Sequence, residues 1–356
     1  MIIRKLPVLF LAILLIGCGE TRKNIKQEFM QKAMGEIGEI ILVMDSTQYE
    51  TQLGDAIKGV FREPMQGLPQ DEPMFSMSKA SPKRLNTVLK SATNMIFVMT
   101  LDSKTRESEL LRGYFTSQSL NAIQRDTTQF FTIHKDEFAK GQVVLYLFAR
   151  SEELLIRLIQ ERKDQLQELF ESTERNRIKS RIFAQRETGL EKVIAESQPF
   201  RMKVPYGWEM AKNLENFYWL RFLEADKEHD IFVYHEPYTS SEVFDSIPRL
   251  RDRITEQFLR DPDKEDLYVT RQERPDIQAV FLENVNFNDR YAVKARGLWK
   301  YSDISGGGPY ISYTIVDEKT QRLFYIEGFV YSPGTTKKNF IRELDAILST
   351  FELPNN

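Results

Sequence analysis

The only cysteine of this 356-residue chain, Cys18, closes the string Leu15-Ile16-Gly17-Cys18 behind an apolar run that follows Arg4 and Lys5. A positive n-region, an apolar h-region from Leu6 to Ile16 and a small residue at position 17 have the form of an export signal cut before the cysteine. The run is too short to span a bilayer, which takes roughly 20 apolar residues. The expectation is that residues 1–17 are a lipoprotein signal peptide and that Cys18 becomes a lipidated first residue, with 18–37 as anchor and tether. Acylation would consume the single thiol in a compartment that permits disulfides, so no internal crosslink is available and the fold must be held by its core. Two or more acyl chains give stable attachment. Gly19 follows the cysteine and no acidic run comes after it, which points to the outer membrane, facing the periplasm.

The remaining length suits two domains at roughly 100–200 residues each. Lys+Arg number 49 against 52 Asp+Glu with no long basic run, so nucleic acid is not an expected partner. With 24 Phe, 14 Tyr and 3 Trp the chain is globular in character rather than disordered.

Periodicity divides the chain. Residues 38–150 suggest an α/β domain. Glu39 to Asp45 is an apolar run of strand length, and Tyr49, Leu53, Ile57, Val60 and Phe61 recur at helical spacing until Pro64 stops them. A loop from Pro64 to Ser81 follows, then a helix opened by Ser81-Pro82 and strands at Met95–Thr100, Phe130–His134 and Val143–Phe148. From 151 to 196 a charged, heptad-like segment carries Leu154, Leu155, Leu158, Ile159, Leu166, Phe170 and Ile178. It predicts a long charged helix between the domains, or one broken near Ser172-Thr173, and a coiled-coil oligomer is its sharper reading. Beyond Pro199, strands are expected at 200–204, 217–223, 230–235, 267–272, 279–285, 291–299, 311–316 and 323–331, with helices at 247–259 and 335–351. Residues 197–356 therefore predict an α+β domain, an antiparallel sheet with helices on one face and a C-terminal helix.

Certain strings carry a resemblance: Gly67-Leu68-Pro69-Gln70-Asp71-Glu72-Pro73, Gly297-Leu298-Trp299, Gly307-Gly308-Pro309, and Glu327-Gly328-Phe329-Val330-Tyr331 before Pro333-Gly334. In this order, and with the cysteine signal, the chain resembles a family of uncharacterised Bacteroidetes-type lipoproteins catalogued only as a domain of unknown function. The resemblance covers nearly the whole chain after the signal and implies no activity or catalytic residue.

The chemical motifs are sparse. His134, His229 and His235 are the only histidines, no Gly-x-Ser-x-Gly elbow exists, and no metal-binding spacing is present. His229 and His235 lie six apart, too far along a strand rising about 3.3 Å per residue to share one ion, and are expected as surface or edge residues. No metal and no cofactor is expected. Gln70, Asp71 and Glu72, stiffened by Pro69 and Pro73, form a candidate binding loop, with acid–base catalysis by the two carboxylates as an alternative. The third reading of that loop is a rigid segment docked on its own domain through Leu68, Met74 and Phe75. The glycine run 306–308 lacks the Lys-Ser/Thr and the helix of a phosphate loop and predicts a hairpin connection. Trp299 and Tyr310 beside it are candidate walls of a glycan or peptide groove. The function expected is a non-enzymatic binding or assembly factor, tied to the membrane by Cys18 and contacting an envelope protein or glycan. A hydrolase of envelope polymers and a structural oligomer built on 151–195 are the alternatives.

Overall fold

The computed structural model describes residues 30–354 except 226, 262, 265 and 274–277, so Cys18 and the signal segment lie outside the described residues. The chain divides into two compact units, Met1–Ile57 with Met77–Arg162, and Lys58–Ser76 with Lys163–Asn356.

The first unit contains, in order, β1 (Glu39–Val43), α1 (Ser46–Tyr49), α2 (Gln52–Phe61, whose last turn counts with the second unit), β2 (Ser76–Ala80), α3 (Thr87–Lys90) and β3 (Asn94–Thr100). It continues with α4 (Arg106–Arg112), α5 (Ser117–Arg125), β4 (Phe131–Lys135), β5 (Val143–Ala149) and α6 (Glu152–Glu161). The sheet runs β2-β1-β3-β5-β4. Its centre, β1-β3-β5, is parallel, with Ile41 opposite Met95 and Asn94 opposite Val143, and β4 is antiparallel to β5. Both faces of β3 and β5 are buried throughout, which explains their unbroken apolar runs NMIFVMT and VVLYLFA. Thr105 and Thr116 start α4 and α5 by accepting the backbone N–H of Ser108 and Ser119 at 3.0 and 3.1 Å. The helix expected after Ser81-Pro82 is only a 3₁₀ turn and the four-residue α3, and Val88, counted among its inward positions, is exposed.

The second unit contains α7 (Lys163–Ile182), α8 (Thr188–Ser197), β6 (Glu209–Asn213), β7 (Phe217–Glu224), β8 (Lys227–Pro237) and α9 (Ile247–Phe258). Then come β9 (Val269–Arg271), β10 (Val280–Phe287), β11 (Arg290–Tyr301), β12 (Gly307–Asp317), β13 (Arg322–Tyr331) and α10 (Lys338–Leu348). Seven strands form one antiparallel sheet in the order β10-β11-β12-β13-β8-β7-β6, and β9 pairs with β11. Helices cover both faces rather than the one expected. Ile341, Leu344 and Ile347 of α10 pack with Ile311, Tyr313 and Ile315, while Ile247, Leu250 and Ile254 of α9 pack with Tyr310, Tyr325 and Phe329. Successive residues of β12 point to opposite faces, and both sets are apolar enough to need cover. The segment Phe200–Val204 buries Phe200, Met202 and Val204 but makes only one bridge, Arg201 to Glu352, and is not a strand.

The single long charged helix between the domains is not present. Residues 151–196 form three helices, α6, α7 and α8, with breaks at Arg162 and between Ile182 and Thr188, and α7 passes unbroken through Ser172-Thr173. The physical reason is that the apolar positions serve separate cores. Leu154, Leu155 and Ile159 are buried from α6, whereas Phe170 of α7 meets Phe61 and Phe75 edge-on at 5.6 and 5.9 Å. Leu166, Phe170 and Ile178, the residues a coiled-coil seam would use, are buried.

Candidate ligand cavity

The loop between α2 and β2, expected to dock on the α/β domain of residues 38–150, is instead part of the second unit and packs in its core. Gly67 turns it with φ +79°, and a Cβ there would stand 2.8 Å from the Cβ of Arg296, so the close approach requires glycine. Met65 and Leu68 are buried in the core that α10 shares with the sheet, with Met74 packed against it, and Phe75 is fully buried. Glu72 is only 4% exposed. Its carboxylate accepts the backbone N–H groups of Lys337 and Lys338 at 2.7 and 3.0 Å, at the start of a helix that has no side-chain cap of its own. A carboxylate at that position satisfies orphan donors and complements the helix dipole. Gln70 and Asp71 are exposed. The structure therefore does not bring Asp71 and Glu72 together as an acid–base pair. Glu72→Ala is expected to cost about 1–2 kcal/mol of stability in urea unfolding, and Asp71→Ala less than about 0.5 kcal/mol. Equal costs would contradict the capping role.

Trp299 and Tyr310 are not groove walls. Both are 1% exposed, on the face covered by α9. The Trp299 indole donates to the Val330 carbonyl at 3.2 Å, and Tyr310 lies under the Arg251 guanidinium at 4.1 Å. Gly308 makes this packing possible, since a Cβ there would stand 2.0 Å from the Val330 oxygen. Gly307 and Gly308 pair in β12 with Lys300 and Trp299, which gives the expected hairpin a glycine strand end rather than an anion loop.

His229 and His235 are buried, not at the surface as expected. His229 lies near the rings of Phe222 and Phe340, and His235 near that of Phe324. No group of three His, Cys, Asp or Glu fit to hold a metal occurs among the described residues.

A cavity of about 630 Å³ opens on the α10 face of the second unit. The Glu63–Met74 loop, α7 and strands β10 to β12 wall it. The loop singled out in the sequence thus contributes to a concave surface through Gln66 and Met74, not through Gln70 to Glu72. Lys163 of α7 is held by Glu63, as is Gln167, whose amide donates at 2.8 Å. Bonded to two of the lining residues, Asp345 of α10 accepts the Tyr313 hydroxyl on Oδ1 and the Arg175 Nε on Oδ2, the latter at 3.1 Å. Burial alone would raise the Asp345 carboxyl, but Lys294, Arg175, the Tyr313 hydroxyl and Arg296 hold it down at about 2. Tyr313 is pushed well up by burial and by Asp345. Lys294 is lowered by burial and then by Arg296.

Lys294 and Arg296 stand two apart on β11 and so share the face of Ala292 and Leu298. The cross-strand partners of Lys294 are Glu283 on β10 and Tyr313 on β12. Among the described residues lining the cavity there is no histidine or cysteine. The arrangement can hold and orient charge.

Two smaller hollows lie elsewhere in the units. One of 330 Å³ in the first unit contains His134, whose Nδ1 meets Glu137 at 2.8 Å, but the neighbouring Ser119 hydroxyl bonds Thr116 at 2.9 Å. The other, 550 Å³ in the second unit, is an aromatic hollow containing Trp208, Phe222 and Phe340.

No curated protein matches the chain by sequence. Among solved structures, a protein from Bacteroides thetaiotaomicron VPI-5482 crystallised at 1.50 Å is similar over 44% of this chain and 46% of that one, with 12% identity and a TM-score of 0.26. This chain thus spans less than half of that protein's length. Human StAR-related lipid transfer protein 5 gives 10% identity and a TM-score of 0.23, covering 48% of this chain and 94% of that one. The lipid transfer and protein localization domain of human StarD13 gives 13% and 0.22, covering 46% and 95%. Likeness at this level carries no argument about function. The sequence families are more direct: residues 33–183 match the model of the domain of unknown function DUF8532 and residues 187–350 match that of the domain of unknown function DUF4837, so two domains of unknown function together cover most of the chain.

Proposed function

We propose that this chain is a non-enzymatic binding protein of the cell envelope, tethered through an acylated Cys18 and taking a small ligand in the cavity on the α10 face. The cavity is the observation that carries the reading. Its 630 Å³ falls within the roughly 300–1,000 Å³ of small-molecule sites, and part of its charged wall, Glu63 with Lys163 and Gln167 and Arg175 with Asp345, is held by ion pairs and hydrogen bonds. The hydrolase alternative is disfavoured because Glu72 is engaged as a helix cap. The tether rests on the cysteine signal; no helix among the described residues is long and apolar enough to cross a membrane. Cys18→Ser is expected to move the protein from the membrane pellet to the soluble envelope fraction, and unchanged pelleting would contradict the tether. A photocrosslinking residue at Gln66, on the cavity rim, is expected to capture one reproducible small molecule or glycan in cells, whereas the same probe at the exposed Leu282 is not. Equal capture from both positions would count against the cavity.

A further inference from the structure

We infer that the ligand of this cavity is an anion, gripped through a carboxylate or phosphate by Lys294 and Arg296 with Arg175 beside them. The inference rests on the reading of the cavity as the ligand site and adds the chemical class.

Three cations converge on one carboxylate. Both oxygens of Asp345 are already engaged, one by Tyr313 and the other by Arg175. Lys294 and Arg296 donate no hydrogen bond to any described residue, and the Arg296 Nε is buried without a partner. A buried guanidinium donor left unpaired is costly, and such groups in native proteins call for an explanation. The nearby acids do not provide one. Glu63 faces Lys163, Glu171 faces Arg342, and Glu168 reaches Arg175 only at 3.8 Å. Glu283 is exposed across the strand pair from Lys294, and Asp164 lies on the α7 wall.

Three cations, Arg175, Lys294 and Arg296, thus surround the one buried carboxylate, Asp345, while the carboxylates of the cavity lining stand on the loop, α7 and β10. Two donors about 7 Å apart along one strand face suit a small oxyanion set between them, with the ammonium acting as a point charge and the guanidinium as a fork. Burial and the neighbouring Arg296 lower the Lys294 ammonium against the pull of Asp345 and Glu283.

Calorimetry on the full chain purified in detergent tests this with four probes: inorganic phosphate, succinate, glucose 6-phosphate and uncharged glucose. At least one anionic probe is expected to bind and glucose is not, with affinity falling as salt rises. Lys294→Met and Arg296→Gln should each weaken binding at least tenfold. Glu283→Gln removes an exposed carboxylate opposite Lys294 and should strengthen binding several-fold, a readout that survives if the cation variants fold poorly. Phosphate binding without succinate binding identifies a phosphate ligand, and the reverse a carboxylate. The inference is overturned if no anion binds more tightly than about 1 mM, if the cation variants bind unchanged, or if glucose equals glucose 6-phosphate. The last result leaves the cavity reading intact with a neutral ligand. The cavity reading fails separately if Val285→Trp, which fills the cavity, leaves probe binding unaltered.

Discussion

Glu327→Ala is expected to lower the stability of the second unit by about 3–5 kcal/mol, the cost of leaving a buried charge without its partner. Glu327 on β13 and Arg251 on α9 are 0% and 1% exposed at the side chain and joined by two hydrogen bonds of 2.7 and 2.8 Å. The Tyr325 hydroxyl donates to the same carboxylate at 2.6 Å, and Tyr310 stacks beneath the guanidinium. Burial pushes the Glu327 carboxyl up against the pull of Arg251, while for Arg251 the opposing pulls of Glu327, Tyr310 and Tyr325 together outweigh burial and keep it protonated. Removing the carboxylate strands that buried guanidinium beside Tyr310 and Tyr325, so the single substitution is worse than losing both charges. The double variant Arg251→Met, Glu327→Leu should recover most of the loss. Urea unfolding of the two single variants and the double variant decides. A Glu327→Ala cost below about 1 kcal/mol, the size of an exposed pair, would show that the pair is solvated.

Acid is expected to weaken the second unit between about pH 6.5 and pH 4 through two histidines. Burial lowers His229 to about 4 against the pull of Glu224, with Lys227 adding to the shift, and burial together with Arg322 lowers His235 to about 4. The Arg322 guanidinium can only donate, so the Nδ1 it meets at 3.2 Å must accept and the buried Nε2 carries the hydrogen. In the unfolded chain each imidazole takes up a proton near 6.5. The folded chain resists protonation until about pH 4, so the stabilisation is complete above 6.5 and is lost as pH falls toward 4. The loss approaches roughly 3 kcal/mol per histidine. Asp230, Glu327 and Glu343 are raised and act with the opposite sign, since folding favours their protonated forms. The variant His229→Leu, His235→Leu should therefore lose most of the acid sensitivity in unfolding at pH 7 and pH 4.5, whatever its stability at neutral pH. A loss identical to that of the unsubstituted chain would mean that both rings are solvated in the fold.

The parts of the fold legible in the sequence are those whose side chains must alternate or recur to be buried. Both faces of β12 and β13 are apolar, and α10 carries Phe340, Ile341, Leu344, Ile347 and Leu348 at helical spacing, so strands and helix were readable from pattern alone. Strands β2 and β6, SMSKA and EMAKN, are polar and largely exposed at sheet edges and leave no hydrophobic trace. The segment 151–196 misled because charge and apolar spacing look alike in one long helix and in three short ones. The roles of Glu72 and Asp345 depend on partners more than 260 and more than 150 residues away, Lys337 and Arg175 respectively, which no local pattern reveals. For the cavity a faint signal existed. In Tyr291-Ala292-Val293-Lys294-Ala295-Arg296-Gly297-Leu298 the charges share a strand face with Ala292 and Leu298, both buried. Two cations between two buried apolar residues on one face mark an interior charge rather than a solvated one.

The most direct test of the ligand-binding reading is native mass spectrometry of the full chain, isolated from the cells that make it, beside the Val285→Trp variant. The cavity account predicts one reproducible non-covalent adduct on the unsubstituted chain that is absent from the folded variant. An adduct retained in full by the variant would contradict it, as would a chain that carries none even when taken from its own envelope.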